Sequence, residues 1–170
     1  LNPANGRKLW SYQTSTLDVQ RVASSPVKYK NAIITMQGGW GANSFRFGGT
    51  GNVTDSHRQW NSPGIYGIPL VFQDQLIAPF GGIVRICDAK TAKTIDHIRM
   101  NPSKKGYASA VIADDKLYWV YKEDGVCVVQ MGQQPKQIAH NVLEGDASFF
   151  NATPAISNGQ LFLRSDKFLY

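Results

Sequence analysis

The sequence predicts an all-β protein, because one β-hairpin pattern is written four times along its 170 residues. Each copy has a small residue or proline at its entry, apolar residues, a polar pair, and then apolar residues again. The copies occupy residues 25–34, 68–77, 109–118 and 153–162. Their polar pairs contain Asn, Asp or Gly, which tolerate the positive φ of a tight turn. The spacing from copy to copy is 43, 41 and 44 residues, and a hairpin repeated at roughly 40–45 residues is the signature of a β-propeller blade.

A second pattern recurs downstream of the hairpin and supports the same repeat. Residues 2–10 read as a turn on an Asn-Gly pair followed by an outer strand that ends in a large aromatic side chain. Residues 88–96 repeat this phrase with Ala92 in place of the glycine, and Trp60 closes the repeat between them. No long segment has a helical period. We therefore predict a β-propeller of four-stranded antiparallel blades.

The repeats divide the chain into parts of one β-propeller segment that spans residues 1–170. Three blades are predicted at residues 24–60, 66–99 and 107–140, with the end of a blade at 1–12 and the start of a further blade at 152–170. Two explanations of the half repeats compete. The chain is either a four-bladed ring closed by its own ends, or a partial arc of about four blades cut from a larger ring. We favour the arc, because both ends of the sequence look truncated.

Composition narrows the class of protein. Apolar residues make up 42% and charged residues 18% of the chain, as in soluble globular proteins. No apolar run is long enough for a transmembrane segment. The net charge of +6 is spread along the chain, and its densest cluster is Lys104-Lys105. A nucleic-acid-binding protein usually concentrates its basic residues on one stripe, so we expect no nucleic-acid partner.

The spacing of the two cysteines matches neither a metal-binding motif nor a redox motif. Cys87 and Cys127 form no Cys-x-x-Cys pair. Their offsets within the repeat place them on opposite faces of their strands. We therefore predict two buried thiols and no disulfide.

The hairpin with its Ser-Pro or Thr-Pro entry and the outer strand that follows resemble the pyrroloquinoline-quinone-like β-propeller repeat of bacterial proteins. Three stretches carry the resemblance: residues 48–60, the Tyr-Gly-Ile-Pro entry at 66–69, and residues 153–170, which look like the C-terminal blade of such proteins. The resemblance covers nearly the whole chain. It implies the propeller fold, the C-terminal part of a longer protein, and a periplasmic or otherwise exported location.

The resemblance implies two different functions. Quinone-dependent dehydrogenases of this superfamily use a ring of two adjacent cysteines, a Trp under the cofactor, and a calcium ion held by Glu, Asn and Asp. This chain has no adjacent cysteines, so we expect no cofactor here. Relatives that lack the cofactor act as interaction scaffolds, among them a lipoprotein of the bacterial outer-membrane assembly machinery.

Candidate contact residues lie in the first blade. Trp40, in a glycine-rich stretch, can present an indole to a sugar, a quinone or a partner side chain, or it can pack between blades. Arg46 and Phe47 are further candidate contacts with a ligand or partner. The glycine-rich stretch at 48–55 can be a calcium loop or a long hairpin turn, and its single carboxylate favours the turn.

No catalytic or metal site is predicted. The three histidines, His57, His97 and His140, occur one per repeat and not at the spacing of metal ligands, so we interpret them as surface or strand-end residues. The function that the sequence favours is a non-catalytic scaffold or binding module whose loops hold another protein or a cell-envelope component. Two alternatives stay open: an arc of a quinone-dependent dehydrogenase with its catalytic residues elsewhere, and a carbohydrate-binding propeller.

Overall fold

The computed structural model describes residues 1–14, 24–37 and 41–170, and for Gln37 the backbone alone. Nearly all of its regular structure is strand. The elements are β1 Trp10–Ser11, β2 Val27–Tyr29, β3 Ala32–Gln37, β4 Gly41–Arg46, β5 Gly51–Asn52, α1 Thr54–His57, β6 Arg58–Pro63, β7 Leu70–Phe72, β8 Gln75–Phe80, β9 Ile83–Asp88, β10 Thr94–Arg99, β11 Val111–Ala113, β12 Lys116–Val120, β13 Val126–Gln130, β14 Lys136–Asn141, β15 Ala155–Ser157 and β16 Gln160–Phe162. No helix among the described residues has the length and apolar character to cross a membrane.

Three of the sheets have four strands each. Their strand orders are β2-β3-β4-β6, β7-β8-β9-β10 and β11-β12-β13-β14. All neighbours in the first and third of these sheets, and β7 with β8 in the second, pair antiparallel. Strands β15 and β16 form a two-stranded antiparallel sheet. This confirms the predicted all-β fold with four-stranded antiparallel blades.

Each repeated hairpin closes with a two-residue turn. The strand residues that flank the turns pair as Tyr29↔Ala32, Phe72↔Gln75, Ala113↔Lys116 and Ser157↔Gln160. In the last three hairpins both turn residues have positive φ, for example 49° at Asp114 and 54° at Asp115. Two consecutive positive φ values are the mark of a type I′ turn, whose twist matches that of the strands.

The second recurring phrase also has one geometry. At the first copy Asn2 N donates to Arg7 O (2.9 Å) and Gly6 N donates to Asn2 O (2.8 Å). At the second copy Asp88 N donates to the carbonyl of Lys93 (2.8 Å) and Ala92 N donates to that of Asp88 (2.8 Å). Ala92 has a φ of 61°, close to the 68° of Gly6. The turn therefore has the same geometry in both copies, although Ala92 stands in the second copy where Gly6 stands in the first.

The chain divides into two compact units. One contains Leu1–Ala78 and Cys87–Thr94, and the other contains Pro79–Ile86 and Ile95–Tyr170. The core of the first unit joins buried residues of its sheets: Ile34, Met36, Ala42, Ile65, Leu76, Ala78, Cys87, Ala89 and Ala92. A core cluster of the second consists of Ala108, Val120, Val126, Phe150 and Leu163. Both cysteines are buried thiols rather than a disulfide, as the sequence predicts.

The stretch at residues 48–55 differs from a plain hairpin turn. It does connect antiparallel neighbours, β4 and β6, but it contains β5 and the start of α1. β5 pairs in parallel with β1, with Val53 N donating to Ser11 O at 2.9 Å. The Asn52 side-chain oxygen accepts from the backbone N–H (3.0 Å) and the hydroxyl (2.6 Å) of Thr54. The pairing of β5 with β1 therefore shapes this connection. Nothing in the local sequence of residues 48–55 predicts that pairing.

Candidate functional site

The structure describes two of the three candidate contact residues. Trp40 lies outside the described residues. Arg46 ends β4, and Phe47 follows it, so both lie at the opposite end of that strand from Gly41. The Arg46 guanidinium donates to the carbonyl of Ser56 at 2.9 Å, which fixes the side chain along the surface.

Phe47 is exposed at a position that the other blades bury. Its N–H donates to Asn31 O (3.4 Å), just as Ala89 N donates to Asp74 O (2.9 Å) and Met131 N donates to Asp115 O (2.8 Å). Ala89 and Met131 are buried, whereas Phe47 is 44% exposed. The ammonium of Lys28 lies 5.9 Å from the centre of the Phe47 ring, at the outer limit of a cation–π contact.

The histidines do not form a metal centre within the described part of the chain, which contains no metal-binding group of three or more His, Cys, Asp or Glu side chains. His57 ends α1, and its Nδ1 lies 2.9 Å from the hydroxyl of Ser56. His140 lies on β14 with Nε2 against the carbonyl of Asp124. His97 is an exposed residue of β10.

A more developed surface lies in the loops around the third complete blade. Seven residues surround a cavity of about 430 Å³, which we call the lysine pocket: Ser103, Lys104, Lys105, Tyr107, Lys122, Glu123 and Asp124. Four of them come from the segment that leads into β11, and three from the loop between β12 and β13. Because the two loops are far apart in sequence, only the fold brings these side chains together.

Backbone contacts fix the two loops of the lysine pocket to one another. Lys122 N donates to Lys105 O at 3.0 Å, and Phe150 N donates to Lys122 O at 2.8 Å. Gly106 packs so closely that a Cβ placed there would lie 2.6 Å from the carbonyl oxygen of Val120. The backbone therefore holds the two loops of the pocket side by side.

The charges of the lysine pocket are partly balanced. Lys104 Nζ lies 3.7 Å from a carboxylate oxygen of Asp124, and Lys122 Nζ lies 3.8 Å from one of Glu123. Lys122 Nζ also lies 3.9 Å from the centre of the exposed Phe149 ring, within the range of a cation–π contact. No described carboxylate forms an ion pair with Lys105. Tyr107 is 66% exposed beside these charges.

Two ionisable groups next to the loops of the lysine pocket, Tyr121 and Cys127, have raised pKa values. Tyr121 is fully buried, and burial raises the pKa of its hydroxyl far above the usual range. Burial likewise raises the pKa of the Cys127 thiol. The thiolate is the nucleophilic form of cysteine, and burial disfavours that form at Cys127. The chemistry that the pocket offers is recognition by charge and aromatic surface.

Sequence reasoning found part of the lysine pocket, and Lys104 and Lys105 are exposed in the structure, as it expected of surface charge. It singled out Lys104-Lys105 as the densest basic cluster and interpreted these residues as solvated surface charge. It did not select Tyr107, Lys122 or Phe149. The Lys-Lys-Gly-Tyr run in an inter-blade connector was the available signal. The contact between Lys122 and Phe149 had no local signal at all.

Similarity to solved structures identifies the fold of this chain. No protein-family model matches the chain, and no curated protein matches it significantly. Among solved structures, BamB from Moraxella catarrhalis superposes with a TM-score of 0.64 at 12% identity over 85% of this chain, and the chain spans 40% of the length of that structure. The computationally designed Ika4 protein superposes with a TM-score of 0.63 at 9% identity, covering 97% of this chain and 96% of the design.

A second design, Ika8, has a TM-score of 0.56 at 12% identity over 82% of this chain and 42% of its own length. At such low identities these likenesses show fold alone. BamB is a β-propeller. With the repeated four-stranded antiparallel sheets, the likeness establishes that this chain has the β-propeller fold.

Proposed function

We propose that this chain is a non-catalytic binding module that presents its loops to a partner protein. The observation that carries the proposal is the lysine pocket, where three lysines lie beside the exposed ring of Tyr107 and Lys122 also contacts that of Phe149. Aromatic residues are enriched in protein interfaces, and they supply most of the binding energy where they are buried at its centre. Acidic side chains on the partner would pair with Lys105, and would share Lys104 and Lys122 with the Asp124 and Glu123 carboxylates.

The backbone contacts between the two loops of the lysine pocket support this function. Side chains on a fixed backbone lose less conformational entropy when they bind than side chains on a flexible loop. The hydrogen bond from Lys122 to Lys105 and the close packing of Gly106 provide that fixed backbone. A partner would therefore meet a surface that is already in its binding arrangement.

The wider assignment is also a proposal. We assign the chain to the pyrroloquinoline-quinone-like repeat class of bacterial propellers, as the C-terminal part of a longer protein. We further propose a periplasmic or exported location and a cell-envelope protein as the partner, for which the likeness to BamB is support. Arg46 and Phe47 at the end of β4 are a second proposed contact surface, and Trp40 remains a separate proposed contact residue.

Site-specific photo-crosslinking tests the proposed function. A photoreactive amino acid replaces Tyr107 in the protein as it is expressed in its own cells, and we expect one discrete crosslinked product. The same replacement at Thr91, an exposed turn residue, is the control and should give none. Charge reversal by Lys122→Glu should reduce the product at position 107 several-fold. Equal crosslinking from positions 107 and 91, or a product that Lys122→Glu leaves unchanged, would refute a specific interface at the lysine pocket.

A further inference from the structure

A second surface lies on the outer side of the blades, apart from the loops. We call it the outer groove: a cavity of about 550 Å³ lined by residues of β10 and β14 and the ends of their connections. β10 and β14 are each the last strand of a four-stranded sheet. The groove is therefore bordered by two edge strands of six residues each.

A reciprocal hydrogen-bonded pair joins the two sides of the groove. The Gln137 side-chain amide donates to Asn101 O at 2.6 Å, and Asn101 N donates to the Gln137 side-chain oxygen at 2.7 Å. Asn101 follows β10, and Gln137 lies on β14. The end of β10 is therefore tied to β14 by a side chain.

The charge of the outer groove has one sign. Arg99 and Lys136 line it, together with the imidazoles of His97 and His140, and no Asp or Glu is among its lining residues. Arg99 and Lys136 are both exposed. A groove whose charged lining residues are all basic attracts an anionic partner and orients it. In the lysine pocket, by contrast, carboxylates already pair with Lys104 and Lys122.

Apolar side chains flank the basic ones. Ile138 on β14 lines the groove and is 46% exposed, and Ile95, on β10 just beyond the lining residues, is 56% exposed. Exposed isoleucines on an edge strand invite pairing with another strand unless something covers them. An extended peptide rises about 3.3 Å per residue and alternates its side chains, so a strand of about six residues matches β10 and β14 in length.

We propose that the outer groove binds an extended peptide segment in which acidic and apolar side chains alternate. The acidic side chains pair with Arg99 and Lys136, and the apolar ones cover Ile95 and Ile138. This is a different surface from the lysine pocket, so the two proposals can fail separately.

The test uses the full chain and a fluorescent peptide of about eight residues that alternates Glu and Val. Fluorescence anisotropy should show binding that weakens with added salt, and a peptide with Gln in place of Glu should bind at least about ten-fold more weakly. The double variant Arg99→Gln/Lys136→Gln should lose about ten-fold in affinity. The matched control Arg7→Gln/Lys8→Gln removes the same charge from exposed residues outside β10 and β14 and should bind like the unaltered protein.

Two outcomes would overturn the proposal. One is equal binding of the Gln and Glu peptides. The other is an equal loss of affinity in both double variants, which would mean that net charge alone attracts the peptide. Hydrogen exchange gives an independent readout, because a bound strand should slow exchange of amides in β10 or β14 more than in β12. Lys122→Gln, in the lysine pocket, should leave peptide binding unchanged.

Discussion

The indole N–H of Trp60 donates to the carbonyl of Ala89 at 3.3 Å. Trp60 lies on β6, the last strand of the first complete blade, and Ala89 follows β9 of the next blade. The ring also packs against the core cluster of the first unit, in which Ala89 is fully buried. One side chain thus closes its own repeat and covers the repeat that follows.

Replacing this tryptophan should loosen the contact between the first two complete blades. Trp60→Phe keeps most of the apolar surface but removes the N–H donor, and we expect it to destabilise the fold by about 1–2 kcal/mol. Urea unfolding of the variant and the unaltered protein measures this difference. Trp60→Ala should cost more, because it also removes the ring. Identical unfolding midpoints for Trp60→Phe and the unaltered protein would show that the hydrogen bond does not contribute.

Two phenylalanines two positions apart should differ sharply in their effect on stability. Phe45 is buried, stacks on Tyr12 with ring centres 3.9 Å apart, and meets the edge of Trp10 at 6.1 Å. We expect Phe45→Ala to cost about 3–4 kcal/mol and Phe47→Ala less than about 1 kcal/mol. Thermal or urea unfolding of both variants gives the comparison. A large cost at Phe47 would argue for a structural role and against its use as a contact residue.

The turn at Asp114-Asp115 can be improved. Both residues have positive φ, which is accessible to glycine without a steric cost. Asp115→Gly produces the Asp-Gly pair that type I′ turns prefer, and it should stabilise the protein by about 0.5 kcal/mol. Asp115→Val should destabilise it by at least about 1 kcal/mol, because a β-branched residue resists positive φ. Urea unfolding should rank the three proteins Gly, Asp, Val, and any other order contradicts the turn assignment.

Asp146 should make stability depend on acid pH. Hydrogen bonds from Ser148 first, and also from Ser165 and Tyr170, hold the pKa of its carboxyl well below the usual range. The Ser148 hydroxyl donates at 2.5 Å and the Tyr170 hydroxyl at 2.7 Å. A lowered folded-state pKa stabilises the protein above the unfolded pKa of about 3.9, and this contribution is lost as pH falls further. The free energy of unfolding should therefore decrease below about pH 4.

The variant Ser148→Ala tests this assignment. Removal of the hydroxyl should raise the Asp146 pKa toward its ordinary value and flatten the decrease in stability at acid pH. A carboxyl titration by NMR measures the first effect, and urea unfolding at several acid pH values measures the second. Ser25→Ala, at an exposed serine, is the control and should behave like the unaltered protein. A Ser148→Ala titration that matches the control would refute the pairing.

Most of the fold could be predicted from the sequence, because each blade contains local turn and strand patterns that recur along the chain. The polar pairs at the hairpin turns predicted the strands on either side, and the shared phrase at residues 2–10 and 88–96 predicted a matched turn. The parallel pairing of β1 with β5 had no such signal, since it joins segments about 40 residues apart in sequence and depends on backbone atoms that any residue supplies.

The candidate site was less predictable for a related reason. Its lysines were visible in the sequence, but charge alone does not separate a solvated lysine from one that faces an aromatic ring. That distinction rests on contacts such as Lys122 over Phe149, between residues on different loops. The exposure of Phe47 was equally hidden, since its equivalents Ala89 and Met131 are also apolar and are buried.

The hairpin turns show that different residue pairs can encode one backbone conformation. One backbone conformation is built by Gln73-Asp74, Asp114-Asp115 and Asn158-Gly159. These turns require a left-handed backbone conformation, which Gln, Asp, Asn and Gly all adopt here, rather than one particular residue type. Hairpins of one protein can therefore differ in sequence at the turn and keep the same backbone shape.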